Sequence, residues 1–171
     1  MRQTMDKLTN QQVLEKLQAQ FGDKILHVAE PKGLLTIVTD KADIIEVLRL
    51  LKEDDALQFI YLTDITAVHY PELEKAFAVV YHVHSLIFNV RVRIKVFLDK
   101  QNLSIPSATV LWNGANWMER ETYDFFGIDF EGHPDLRRIL NMDDLGVFPM
   151  RKEYPLEDPN RVDKKDFYFG R

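Results

Sequence analysis

The stretch "NVRVRIKVF", residues 89–97, decides the fold, because its alternation is unbroken. Val90, Val92, Ile94 and Val96 fall on one side of an extended chain, and Arg91, Arg93 and Lys95 on the other. Such a strand buries one face and leaves the second to water or to an acidic partner, as antiparallel sheets with one covered face do. Two more strand candidates precede it, "LQFIYLTDITAVHY" (57–70) and "AFAVVYHVHS" (76–85). The second meets the opening strand at Ser85-Leu86, close enough for a tight hairpin centred near Leu86-Ile87.

Nearer the start, "KILHVAE" and "LLTIVTD" flank Pro31-Lys32-Gly33 and read as another hairpin. Two helices frame it. Thr9 or Asn10 caps the first, with Val13, Leu14, Leu17 and Phe21 at helical spacing and Gly22 as its stop. Asp40 or Asp43 opens the second, with Ile44, Ile45, Leu48 and Leu51 on one face. The order αββαβββ contains no βαβαβ repeat and no Gly-rich first turn. It predicts an α+β fold: a largely antiparallel sheet of four to five strands with helices packed on one face.

The pattern changes after Pro106. Pro106 or Ser107 opens a short helical turn, and "ANWMERETYDFF" (115–126) reads as a helix that Gly127 ends. No long periodic segment follows, and Pro149, Pro155 and Pro159 deny helix and central strand to their surroundings. Phe148, Tyr154, Phe167, Tyr168 and Phe169 are too many aromatics for a disordered tail. The chain therefore divides into an α+β body, 1–126, and an extended, mostly irregular C-terminal arm, 127–171, docked on its own body or on a partner.

Composition narrows the function. The 171 residues fit one domain, are 46% hydrophobic and 29% charged, and carry a net charge of −5. That charge opposes nonspecific binding to nucleic acid or to an anionic membrane. The absence of cysteine removes disulfides and the thiolate ligands of iron–sulfur clusters and structural zinc. The first residues hold no apolar signal region, and no apolar run approaches the ~18–20 residues that span a bilayer, so a soluble, cytoplasmic chain is expected.

No GxGxxG, P-loop, GxSxG or HExxH pattern occurs, so no nucleotide, flavin or activated nucleophile is expected. His82 and His84 share a strand face, but a hairpin centred near Leu86-Ile87 sets Arg91 across from His82, and a cation there opposes a metal. His27, His69 and His133 lack a carboxylate or thiol pattern to complete a ligand set; His133, between Gly132 and Pro134, is expected to make a structural hydrogen bond.

The densest charge lies in "ERETYDFFGIDFEGHPDLRRIL", residues 119–140. Glu119 and Glu121 cannot act as paired catalytic carboxylates, because i and i+2 sit roughly 200° apart on a helix. Arg120 and Asp124 can pair on one face, while Glu121 and Asp124 need a cation between them, for which Arg137 or Arg138 is placed. Trp117, Tyr123, Phe125 and Phe126 on the same helix argue against a fully solvated face.

This stretch resembles the signature of the C subunit of proton-pumping NADH:quinone oxidoreductase (respiratory complex I, NDH-1), the 30 kDa subunit family. The pattern is Glu119-Arg120-Glu121, two residues, then Asp124-Phe125-Phe126; past six more residues come His133, Arg137, Ile139 and Leu140. "GANWMERE" (114–121) and "PMRKEYPL" (149–156) resemble the family's "ANWYERE" and "PLRKDYPL", with Met150 and Glu153 replacing Leu and Asp. The resemblance implies a noncatalytic, structural or assembly subunit of the peripheral arm, in a hetero-oligomer, binding no cofactor itself. FMN, iron–sulfur clusters, NADH and quinone would belong to other subunits. It implies packing against the D subunit, which helps form the quinone site, and contacts with the B and I subunits. It also implies a place on the cytoplasmic side of the inner membrane, held there only through the complex. The signature residues expected at that interface are Trp117, Glu119, Arg120, Glu121, Asp124, Phe125, Phe126, Gly127, Gly132, His133, Pro134, Arg137, Arg138, Arg151, Lys152, Tyr154 and Pro155. The charges among Glu119, Arg120, Glu121 and Asp124 are expected to form buried or half-buried pairs with Arg137, Arg138 or a partner. Relatives that take electrons from ferredoxin, F420 or hydrogen share the motif, so the donor stays open.

Overall fold

The computed structural model describes residues 8–154. Helix α1 (Asn10–Phe21) begins at Thr9, whose hydroxyl accepts from Gln12 N while Gln12 Oε1 accepts from Thr9 N, and ends at Gly22 with φ +49°. Strands β1 (Ile25–Ala29) and β2 (Leu35–Thr39) form the expected antiparallel hairpin. Helix α2 (Ile44–Glu53) buries Ile44, Val47, Leu48 and Leu51. Strands β3 (Tyr61–His69), β4 (Phe77–Ser85) and β5 (Val90–Leu98) pair antiparallel in chain order.

The five strands form one sheet in the order β1-β2-β5-β4-β3, in which β2 and β5 run parallel. The expected sheet, largely antiparallel with helices on one face, is what forms. Its parallel seam needs a long crossover, which α2 and the β3–β4 hairpin supply. Val92, Ile94 and Val96 stand opposite Val83, Tyr81 and Val79, and this inner face joins Val13, Leu17, Leu48 and Leu51 in the core. Arg91 is exposed and Arg93 and Lys95 are half-buried on the outer face.

The hairpin register departs from expectation. Ser85 pairs with Val90, so the loop is Leu86–Asn89 and Arg93, not Arg91, lies across from His82. Asn89 takes φ +54°, a conformation asparagine tolerates, and this lengthens the turn. A two-residue slip keeps every side chain on its intended face.

Beyond β5 lie β6 (Ser104–Pro106), a 3₁₀ turn at Ala108–Val110 capped by Ser107, helix α3 (Ala115–Phe126) and β7 (Asp129–Glu131). β7 pairs with β6, so the chain just past Gly127 is still part of a small sheet. α3 runs along edge strand β3, where Thr122 Oγ1 shares its proton between Met118 O at 2.8 Å and Ile65 O at 3.2 Å, and just before the strand Trp112 Nε1 donates to Ile60 O at 2.9 Å. These side chains satisfy carbonyls that an open edge would offer to another strand.

Candidate functional site

The signature helix turns two carboxylates inward. Glu119 is fully buried; its Oε2 accepts from Ser107 Oγ and its Oε1 from Ala108 N, both at 2.6 Å. Burial pushes its carboxyl up to about 7 against the opposing pull of those two donors. Asp124, also fully buried, accepts at Oδ2 from the backbone N–H groups of Ile139, Leu140 and Asn141 at 2.8–3.1 Å. Its Oδ1 accepts from Arg138 Nη1 at 2.8 Å. Burial alone would raise this carboxyl, but the Asn141 and Leu140 amides and the Arg138 guanidinium outweigh it and hold it well below the usual range.

Arg138 extends the clamp. Its Nη1 also donates to Asp124 O, its Nη2 to Leu145 O at 2.6 Å and Val147 O at 3.0 Å, and its guanidinium lies 5.1 Å from the Phe148 ring. Gly127, with φ +71°, ends α3 and lets Phe148 close over it: a Cβ there would meet Phe148 Cε2 at 2.5 Å and Arg151 Nη2 at 2.6 Å. The Arg151 guanidinium stands 5.3 Å from the ring of Phe77 and 4.7 Å from that of Phe148, and its Nε donates to Phe126 O at 2.7 Å. Met150 N donates to Phe125 O, and Lys152 N to His69 Nδ1 at 3.0 Å, so His69 carries its proton on Nε2.

The other expected pairings differ. Arg120 does not bridge to Asp124; its Nε and Nη2 donate to the carbonyls of Arg137 and Arg138. Asp124 has ample donors without it, and the bare loop carbonyls do not. Arg137 pairs with Asp135 at 2.9 Å in the open, not with the helix. Glu121 is exposed beside a cavity of about 230 Å³ that Asp64, Thr66, Phe125 and Met150 help to line. Trp117 is 60% exposed, against the expectation that the helix's aromatics would leave it little solvated. His133 follows Gly132 (φ +84°) and precedes Pro134; its Nε2 donates to Asn116 O at 3.1 Å and its Nδ1 accepts from Asp135 N. Glu119, Glu121 and His133 therefore do not converge on one pocket. Tyr154 ends the described arm with its N–H on Arg151 O. Pro155, Pro159, Phe167, Tyr168 and Phe169 lie outside the described residues.

Sequence reasoning missed Ser107 as Glu119's partner and His69 as an acceptor for the arm. Ser107 was visible only as a turn opener, and His69 carries no local signal because its partner is 83 residues away.

Large apolar side chains in this region are also exposed. Trp117, Val110, Leu140 and Met142 are each at least 60% exposed, with Met150 not far below.

The family described as "Respiratory-chain NADH dehydrogenase, 30 Kd subunit" matches residues 37–160. The C subunit of NADH-quinone oxidoreductase from Citrifermentans bemidjiense is 45% identical over 152 residues, covering 89% of this chain and 93% of that protein. The Brucella abortus protein of that name is 46% identical over 140 residues, 82% of this chain and 69% of its own. Among solved structures, a trypsin-resistant fragment of Nqo5 superposes with a TM-score of 0.65 at 33% identity, covering 74% of this chain and 98% of the fragment. A chain of the membrane-bound sulfane sulfur reductase, an archaeal respiratory membrane complex, shares the fold with a TM-score of 0.70 at 24% identity over 91% of this chain and 94% of its own.

Proposed function

Since this chain belongs to the 30 kDa subunit family of respiratory-chain NADH dehydrogenase, the family of the NADH-quinone oxidoreductase C subunit, we propose that it is a noncatalytic subunit of the peripheral arm of such a complex. In this reading it packs against the quinone-site D subunit, touches the B and I subunits, and stays on the cytoplasmic side of the membrane through them. FMN, iron–sulfur clusters, NADH and quinone sit on other subunits, and this chain supports electron transfer to quinone by holding their geometry.

One observation carries the reading. Glu119, Asp124 and Arg138 are turned inward, the last two to fix an irregular segment, while Trp117, Leu140 and Met142 are exposed. Glu119 and Asp124 are engaged by Ser107, Ala108, Arg138 and loop amides, which leaves them holding architecture. Exposed aromatic and apolar side chains beside a rigid clamp are residue types enriched at interface centres.

Affinity recovery of this chain from solubilised membranes should bring down the cluster-bearing and quinone-site subunits, identified by mass. Recovery only as a free monomer overturns the reading. Trp117→Ala, at an exposed site, should keep the melting temperature within a few degrees yet weaken that recovery.

A further inference from the structure

The outer sheet face takes no part in the site just described. Arg91, Arg93, Lys95 and Phe97 follow one another along β5 at intervals of about 7 Å. The register sets His84 beside Arg91 and His82 beside Arg93, and then Asp64 of β3 beside His82. Arg93 Nε donates to His82 Nε2 at 2.9 Å, so a neutral His82 carries its proton on Nδ1, 3.8 Å from Asp64 Oδ2. Burial and the Arg93 charge hold His82 below the ordinary histidine range, so it adds no charge at neutral pH. Arg93 is thereby steadied through Nε, and among the described residues no group accepts from its terminal nitrogens.

The row ends differently from how it begins. Phe97, Val38, Leu26 and Leu73 line an open cleft of about 350 Å³, rimmed by Asp40, Glu74 and Lys75. Leu26 is 57% and Leu73 44% exposed. A plain solvated face would account for alternating charges, but not for an apolar hollow in line with three cations on a chain of net charge −5.

We propose that this face binds an acidic segment of a neighbouring protein subunit, its carboxylates on Arg91, Arg93 and Lys95 and one large apolar side chain in the cleft beside Phe97. The row offers one aromatic, at its end, where a nucleic acid needs successive stacking platforms, and the net negative charge repels a polyanion. The proposal rests on the subunit reading, because the segment is sought within that assembly.

The test uses the complex recovered from solubilised membranes. Amine acylation should label Lys100, whose side chain is 63% exposed, and spare Lys95. A zero-length carbodiimide should join Lys95 to an Asp or Glu of another subunit, in a peptide with a large apolar residue about two or three positions away. Arg91→Glu should lower recovery of the complex about tenfold, and Arg91→Lys should restore it. Labelling of Lys95 as complete as that of Lys100, a link only to a second copy of this chain, or equal recovery of Arg91→Glu each overturns the proposal. Labelling is read only on chain recovered with its partners, so these failures leave the subunit reading standing.

Discussion

Glu119 and Asp124 sit on one helix, both closed off from solvent, and their electrostatics run in opposite directions. Asp124 keeps its charge because three backbone amides and a guanidinium address it. Asp124→Asn would set an amide NH₂ against one of those donor groups and leave Arg138 charged at 11% side-chain exposure. Removing one partner of such a pair costs about 3–5 kcal/mol, or roughly 10 °C in melting temperature for a chain of this size. The carboxyl of Asp124 lies below its unfolded value, so its stabilisation is complete above about pH 4 and is lost as the pH falls further. Glu119 behaves the other way. With a folded value of about 7 against 4.5 when unfolded, the native chain holds a proton that the unfolded chain releases. Stability is full below pH 4.5 and declines as the pH rises through 7, by roughly 3 kcal/mol. Glu119→Gln can accept from Ala108 N and donate to Ser107 Oγ, as the protonated acid does. Urea unfolding of this variant at pH 5 and pH 8 should show that decline removed; an unchanged slope would mean that another group titrates.

At the scale of elements, the sequence was legible wherever a segment carries its own period or cap. Val90–Leu98 alternates, Thr9–Gln12 caps, and Gly127 stops α3, so these appear where their local chemistry puts them. What was hidden depends on partners far along the chain. The parallel β2–β5 seam, the three-residue β7 and the seat of the arm on His69 have no local period, whereas Arg138, one of the two cations the charge pattern offered to Asp124, does take that place. Alternating charges alone would read as a solvated face; the aromatics around Glu119 and Asp124 and the family resemblance pointed to buried or half-buried pairs, and both carboxylates are buried. Gly127 is the joint between the legible helix and the irregular arm. Gly127→Ala would cost about 1–2 kcal/mol for a left-handed alanine and would also push Phe148 and Arg151 out of their seats. The arm should then open, and trypsin should cut after Arg138 and Arg151, sites the wild-type packing protects, without loss of the sheet's circular dichroism.

At the scale of the whole molecule, the contacts that hold the described part of the arm to the body include Arg138 on Asp124, Arg151 on Phe77 and on Phe126 O, Met150 on Phe125 O and Lys152 on His69. The sheet, α1 and α2 share a core whose buried apolar residues all precede residue 143, with Arg151 resting on its member Phe77. Deleting residues 143–171 should therefore leave a cooperatively folding body, lowered by roughly 5–10 °C through loss of a few kcal/mol, and abolish recovery with the other subunits. Full assembly of the truncated chain would contradict the role given to the arm. The same deletion carries a second readout. Burial holds His69 below its ordinary value; Glu153 opposes this, and Arg151, Lys100 and Lys152 add to it. A histidine kept neutral in the fold supplies stability above pH 6.5 that is lost as the pH falls through its lower folded value. Without the arm, His69 loses its cover and its N–H donor, and its value returns toward that of the unfolded chain. The acid-side loss below pH 6.5 should shrink in the truncated chain. If it persists in full, the arm is not its cause, and what holds His69 neutral is its burial against Phe77, 4.3 Å away, together with the Lys100 charge.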